Sequence, residues 1–515
     1  MLNMAGSLFY SVVLLFFRFL VRRLFLESFG VEILGYNSTF NSILNMMNLA
    51  ELGIGTAITY NLYKPVANND YSQISNYLVI YKKLYRYIGL FILVLGILIV
   101  PVLPIIVKES YGKLSFLAVI FLLQLLSTVS TYWCAYKRIV FNVYQKTYIT
   151  SIVDTLIFVS VSILQIIDII IFKNYYFYLF LAILQVVCSN LILSYYCNKK
   201  YPLIDFSIYK NDNKIDLGDL RGDISNVLIS KLGGYVLNST DALVVSVILG
   251  AVSTGYMTNY TTIFTSFQSL ALTMLTTLQP SLGNKIACGD SKKEIEKIIL
   301  NLTFLSQIIG CIFATIAFVL IDDFIILWVG NKYVLNTIVA GLFSVNVYVF
   351  LLMYPISLLF GALGYFKYDK VVVLIAATLN LVLSVILVFN LGIQGVLMGT
   401  TLALLIYWVS RSFILYKKFY RFSCIDYLKL IFRCLTSVVI SVIPLYIIDK
   451  YLFTAESNLL VFVFKIFIYI FIVLGILFLI FRNTKEIHYF FSLVRLIKKE
   501  VRKNGFLFRM DRKKM

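Results

Sequence analysis

The stretch GVEILGYNSTFNSI at residues 30–43 returns as GAVSTGYMTNYTTI at residues 250–263, displaced by 220 positions without a gap. Gly30, Gly35, Tyr36 and Ile43 are matched by Gly250, Gly255, Tyr256 and Ile263, while Ser38, Phe40 and Ser42 become Thr258, Tyr260 and Thr262. A repeat of this length marks a chain built from two copies of one unit, a common construction among membrane transporters.

Composition says what kind of unit it is. Of the 515 residues, 60% are hydrophobic and 14% charged, and the mean hydropathy is +0.90. No water-soluble core can absorb that much apolar surface, so the chain reads as an integral membrane protein. Its apolar runs are about 20 residues long, enough for a helix to cross some 30 Å of hydrocarbon. A barrel would instead show short alternating strands. The pattern predicts an all-α protein of fourteen spans, roughly 6–26, 38–62, 86–107, 114–135, 148–171, 176–197, 225–249, 256–282, 298–321, 335–360, 371–390, 393–415, 430–449 and 458–481.

Six spans separate the two copies, and an even number keeps them in the same orientation. The expectation is therefore two parallel six-helix bundles, 1–200 and 225–415, joined by a 201–224 linker. An extra helix pair at 416–481 and a basic tail at 482–515 follow.

The net charge of +20 follows the spans. With the N-terminus inside, the inner connections carry Lys64, Lys82, Lys83, Lys137, Arg138, Lys146, Lys199, Lys200, Lys292, Lys293, Lys417, Lys418 and Arg421, among others. The outer ones carry only Lys108, Lys113, Lys173, Lys332 and Lys450. This asymmetry orients both termini to the cytoplasm. The first apolar run is interrupted by Arg18, Arg22 and Arg23 and reads as a retained span, not a cleaved signal. In the tail, Arg495, Lys498, Lys499 and Arg502 alternate with Phe490, Phe491, Leu493 and Leu496. That pattern suits either a helix on an anionic leaflet or a solvated tail. No nucleic-acid motif accompanies it.

Several chemistries have no residues to carry them. The seven cysteines contain no CxxC pair, and His488 is the only histidine, so no metal site or His-dependent catalysis is read. There is no GxxxxGK[ST] loop for ATP hydrolysis. No cofactor is called for beyond a coupling ion, H+ or Na+, and an enzyme is not expected.

Polar groups inside spans point to function instead. Ser38, Asn41, Asn45 and Asn48 fall on one helical stripe, and the 220 offset carries them to Thr258, Thr261, Thr265 and Gln268, all polar again. Such a stripe faces either neighbouring helices, through interhelical hydrogen bonds, or a shared water-filled cavity. Arg18 and Arg22 in the first span and Lys231 in the seventh cost about 2.5–3.5 kcal/mol each at mid-membrane, so each needs a partner or a cavity. Asn238 is the offset partner of Arg18. Glu51, Asp154 and Asp241 are either coupling-ion sites or salt-bridge partners of these cations. Pro101, Pro104, Pro280, Pro355 and the Gly233-Gly234 pair mark static kinks or hinges.

The stretches ESFGVEILGYNSTFNSILNMMNLAELGIGTAI (27–58), DALVVSVILGAVSTGYMTNYTTIF (241–264), WVGNKY (328–333) and NLVLSVILVFNLGIQGVLMGT (380–400) occur in this order. Together they resemble the Wzx-type polysaccharide repeat-unit flippases, in the polysaccharide transporter branch of the multidrug/oligosaccharidyl-lipid/polysaccharide exporter (MOP) superfamily. The resemblance spans most of residues 1–480. It implies a MATE-like fold of two six-helix bundles about a central cavity that alternates between inward-open and outward-open states. It also implies transfer of undecaprenyl-diphosphate-linked oligosaccharide across the bacterial cytoplasmic membrane for O-antigen, capsule or exopolysaccharide synthesis, alongside a polysaccharide polymerase and glycosyltransferases. The extra helix pair resembles the peptidoglycan-precursor branch instead.

On this reading Arg18, Arg22 and Lys231 hold the diphosphate. Asn41, Asn45, Asn48, Asn238, Thr261, Thr265 and Gln268 bond the sugar hydroxyls. Two other readings stand: a cation-coupled multidrug antiporter of the same superfamily, which favours acidic and aromatic cavity walls, and a membrane-embedded polymerase or transferase.

Overall fold

A computed structural model describes residues 2–48, 51–109, 113–206, 234, 240–276, 282, 286, 291–363, 365–421, 424–453 and 458–488. The candidates Lys231 and Asn238, the side chain of Glu51, most of the 201–224 linker and the tail from 489 onward lie outside these residues. Every long regular element among the described residues is helical: α1 (Leu2–Met47), α2 (Glu51–Ala67), α3 (Tyr71–Ile99), α4 (Leu114–Cys134), α5 (Thr147–Ile167) and α6 (Tyr175–Lys200). There follow α7 (Thr240–Leu249), α8 (Ala251–Thr276), α9 (Lys292–Trp328), α10 (Thr337–Ala362), α11 (Phe366–Leu391), α12 (Ile393–Ile414), α13 (Ile425–Leu452) and α14 (Leu459–Phe481).

Ten of these helices are long and apolar enough to cross a membrane. The 46 residues of α1 would extend about 69 Å as one straight helix, twice what a bilayer needs. Gly30 divides them, with φ 83° and ψ 174°. A side chain at that φ would crowd its own carbonyl, so glycine is the residue that turns the chain here. Its repeat partner Gly250 does the same at φ 90°, between α7 and α8.

Five residues beyond each turn the two copies meet. A Cβ on Gly35 would stand 1.9 Å from the backbone oxygen of Ala251, and one on Gly255 would stand 2.2 Å from that of Val31. Val31 and Ala251 are themselves 220 apart, so each copy presents the same glycine to the same position of the other. That reciprocity is what a pseudo-two-fold axis produces. The pattern continues along both helices: Phe40 and Tyr260 are fully buried, as are Thr39 and Asn259. Ser42 donates to the Ser38 carbonyl at 3.0 Å, and Thr262 to the Thr258 carbonyl at 2.7 Å.

The described chain forms two compact units. The first holds Met1–Thr277, Trp328–Phe343 and Tyr365–Tyr407; the second holds Leu278–Leu327, Ser344–Gly364 and Trp408–Met515. In the first, α1 packs on α5 and α8, α4 on α3 and α6, and α5 on α6. An outer tie braces the α1 turn: Lys113 Nζ lies 2.8 Å from Glu32 and 3.1 Å from Glu109, and Tyr36 donates to Glu32 at 2.5 Å. The Lys113 ammonium, with the Tyr36 hydroxyl, holds the Glu32 carboxyl below its ordinary pKa.

In the second unit α13 and α14 pack together, and a buried lysine joins them to α9. Lys465 Nζ reaches Asp323 at 2.7 Å and Asp449 at 3.0 Å, and Tyr469 donates to Asp449 at 2.9 Å. A buried lysine needs such partners to stay charged. The outer faces of the pair carry Phe432, Phe467 and Phe471 fully in the open. Only 22% of the most apolar window of α14 is buried, against 72% for α10. Exposed aromatic and aliphatic faces on helices of this length belong in lipid, so the chain is a multi-pass membrane protein.

The glycine crossing yields a graded prediction. Gly35→Ala or Gly255→Ala sets a methyl group into the opposing backbone, whereas a Cβ on Gly30 meets nothing within 4 Å and adds only backbone strain. Thermal unfolding in detergent is expected to show a larger loss for Gly35→Ala and Gly255→Ala than for Gly30→Ala, whose cost is about 1–3 kcal/mol. Equal losses would contradict the close crossing.

Candidate functional site

Within the first unit the helices enclose a cavity of about 660 Å³. It is walled by both segments of α1, by α4, α5 and α6, and by Thr258 of α8. The polar lining comprises Tyr10, Arg18, Arg22, Asn37, Ser38, Asn41, Ser42, Asn45, Gln124, Ser127, Thr128, Ser162, Gln165, Tyr178 and Gln185. Leu14, Phe17, Phe25 and Phe158 form part of the apolar wall.

Two features set its chemistry. Two arginines line it and no carboxylate does, among the described residues. Among the described residues neither arginine is paired with an acid: Arg22 Nη2 reaches Thr262 Oγ1 at 3.3 Å, and Arg18 Nη1 reaches Ser266 Oγ at 3.5 Å. Arg22 Nη1 is buried with no acceptor among the described residues. A guanidinium is charged at any physiological pH, and a buried charge without a counter-ion is costly. Chemically, such an arrangement suits an anion better than a cation.

The neutral walls are equally specific. Asn37 accepts from both Gln124 Nε2 and Tyr175 Oη, the latter at 2.5 Å. That arrangement leaves the buried Gln124 Oε1 without a donor. Asn41 and Asn45 stand free on the α1 surface that faces the cavity, one helical turn apart. Carboxamides and hydroxyls on five helices offer both donors and acceptors, as a polyhydroxylated ligand requires.

The sequence-derived candidates divide. Arg18, Arg22, Asn41 and Asn45 line the cavity together with Ser38 and Thr258. Asn48, beyond the lining, accepts from Tyr132 Oη at 2.9 Å. Thr261 turns back to the Met257 carbonyl at 3.0 Å, Thr265 to that of Thr261 at 2.6 Å, and Thr265 and Gln268 are absent from the lining. Asp154 is held by Arg138, whose Nη2 and Nη1 lie 2.7 and 3.0 Å from its two oxygens. Asp241 accepts from Thr400 Oγ1 at 2.9 Å, and Thr400 in turn accepts from Asn380 Nδ2 at 2.9 Å. The second oxygen of Asp241 is buried, with no partner at hydrogen-bond geometry among the described residues.

Sequence reading missed Asn37, Gln124, Ser162, Gln165 and Gln185, and the arginine partners Thr262 and Ser266. Gln124–Ser127–Thr128 and Ser162–Gln165 are short polar stripes within spans, the same signal that singled out Asn41 and Asn45. Among the described residues no cluster of three or more His, Cys, Asp or Glu suited to a metal occurs.

No family model and no curated protein sequence matches the chain. Solved structures do. The chain is similar to the lipid II flippase MurJ in an inward closed conformation, with 16% identity over 94% of this chain and 99% of that one and a TM-score of 0.68. It is similar to an inward-facing multidrug resistance MATE family transporter of the MOP superfamily, with 13% identity, 77% and 93% coverage and a TM-score of 0.59. A variant of the Vibrio cholerae MATE transporter VcmN matches at 13% identity, 81% and 96% coverage and a TM-score of 0.52. The fold is MATE-like. Its neighbours are titled flippases and transporters, and the all-helical, MATE-like class expected from the sequence is the class the structure shows.

The cavity makes a prediction about water. In a cysteine-free background, Asn41→Cys and Asn45→Cys are expected to react with a water-soluble maleimide, while Phe16→Cys, exposed on the outer surface of α1, stays unlabelled in lipid. Labelling is read by mass shift, and protection of both cavity positions would mean the cavity is dry.

Proposed function

We propose that the protein is a flippase for a polyprenyl-diphosphate-linked oligosaccharide, moving it from the inner to the outer leaflet of a bacterial cytoplasmic membrane for surface polysaccharide synthesis. The observation that carries this reading is the unpaired guanidinium of Arg22 beside Arg18, in a cavity without carboxylates.

A diphosphate is the part of such a lipid that hydrocarbon rejects most strongly, since an isolated charge at mid-membrane costs several kcal/mol or more. Arg18 and Arg22 offer two forks whose geometry suits phosphate oxygens. Asn41 and Asn45, with Gln124 and Gln165, then bond sugar hydroxyls, and the prenyl chain stays in lipid. Lys231, Asn238, Asn48, Thr261, Thr265 and Gln268 remain candidates for the same substrate in other conformations of the cycle. The repeat-unit specificity follows from the Wzx-type resemblance, and a polymerase and glycosyltransferases are the partners it implies.

Coupling is assigned to Asp241. Its buried carboxylate, bonded to Thr400 on α12 and through it to Asn380 on α11, presents one unbonded oxygen to a proton or Na+. Glu51 is a second candidate. Both termini face the cytoplasm on the charge asymmetry of the connections.

The multidrug antiporter reading requires acidic walls to attract organic cations. The cavity lining favours the opposite charge. In liposomes carrying a labelled prenyl-diphosphate oligosaccharide, the wild-type protein is expected to equilibrate the label between leaflets. Arg18→Ala and Arg22→Ala, at equal reconstitution, are expected to lower the rate at least tenfold. Wild-type rates in both variants would remove the cavity from the mechanism, and new glycosidic bonds would replace the flippase with a polymerase.

A further inference from the structure

Arg138 is not among the cavity-lining residues, but the side chains that hold it belong to α5 and α6, two of the helices that wall the cavity. It opens the short helix Arg138–Val143 just beyond α4. Asp154 lies about two turns into α5, and Ser189 and Asn190 lie on α6, one turn beyond the cavity-lining Gln185. Tyr10, which lines the cavity, lies within electrostatic reach of Arg18, Arg138 and Asp154 alike. The charge asymmetry places this end of the helices at the cytoplasm.

The guanidinium is fully engaged from two helices. Nη1 and Nη2 grip both oxygens of Asp154, Nη2 also reaches Ser189 Oγ at 2.8 Å, and Nε reaches Asn190 Oδ1 at 2.6 Å. The Ser189 hydroxyl adds a bond to Asp154. The cation is more open than Lys465, 34% exposed against 2%, while the partner carboxylates are equally half-covered, 22% for Asp154 and 22% and 24% for Asp323 and Asp449.

We propose, resting on the flippase reading above, that Arg138 is the cation that first receives the cargo diphosphate at the cytoplasmic mouth. Asp154 is a resident anion that occupies its fork until the cargo displaces it. A guanidinium fork accepts carboxylate and phosphate in the same bidentate geometry, and a diphosphate brings more negative charge than one carboxylate. The two kinds of cation then form a gradient: Arg138 is already neutralised, whereas Arg18 and Arg22 have no counter-ion among the described residues. A headgroup received at Arg138 gains by moving inward, and Asp154 re-forms the pair behind it. A cation without Asp154 would hold the cargo at the mouth.

The test is binding and translocation measured together, in phosphatidylcholine nanodiscs and liposomes, with a short-chain fluorescent prenyl diphosphate as the probe. Asp154→Asn is expected to tighten binding severalfold and slow translocation; Arg138→Gln and Arg138→Lys are expected to weaken binding severalfold. A purely structural clamp gives the opposite sign, and weaker or unchanged binding in a folded Asp154→Asn protein overturns the proposal. If Asp154→Asn does not fold, Arg138→Lys decides, and wild-type binding in that variant overturns it. Equal competition by phosphatidylglycerol also overturns it, since the site would then be a general anionic-lipid site. Arg18→Gln separates the two claims: weakening by Arg18→Gln alone defeats only the assignment of Arg138, whereas no effect from any variant defeats the flippase reading as well.

Discussion

The close crossing of two glycines fixes the geometry of the first unit. Gly35 meets the backbone at Ala251 and Gly255 meets it at Val31, at distances that leave no room for a Cβ. Because each contact is the image of the other under the 220-residue offset, the second segment of α1 and α8 are locked at the same level. The positive-φ turns at Gly30 and Gly250 set the angle at which each enters. The outer tie of Glu32, Glu109 and Lys113 braces that level from the side.

The cavity follows from this crossing. With α1 and α8 joined at their glycine ends, the polar residues farther along α1 face inward, and the first segment of α1 brings Arg18 and Arg22 against Thr262 and Ser266 of α8. Hydroxyls satisfy hydrogen-bond geometry without cancelling charge, so the guanidiniums keep their field for a ligand. Elsewhere the chain treats buried cations differently. Lys465 is neutralised by Asp323 and Asp449, and Arg138 by Asp154. Both of those cations carry a resident carboxylate, whereas Arg18 and Arg22 meet hydroxyls alone among the described residues.

Much of this was legible in the sequence. The all-helical class and the parallel repeat followed from hydropathy and from the echo at residues 30–43 and 250–263, because a membrane leaves little freedom in secondary structure, whereas helix bounds did not: the expected 38–62 span ends at Met47 and resumes as α2 at Glu51. The arginines and the Asn41–Asn45 stripe followed from the cost of polar groups in lipid. What did not follow was pairing between spans distant in sequence. Arg138 reads as a connection charge until Asp154 is seen beside it, and Lys465 reads as an isolated lysine in a very apolar helix. Thr265 and Gln268 share their stripe with Thr258, yet only Thr258 reaches the cavity, because the first segment of α1 covers its neighbours Thr262 and Ser266. The substrate itself is the least legible element, since carboxamides and hydroxyls accept many sugars.

The central claim is that the α1 cavity is an anion site for a lipid diphosphate, and the direct measurement is an electron cryomicroscopy map of the protein in nanodiscs with a prenyl-diphosphate oligosaccharide. Paired phosphate density is expected within hydrogen-bonding distance of Arg18 and Arg22, with saccharide density against Asn41 and Asn45. Diphosphate density outside this cavity, or an organic cation occupying it, would contradict the account.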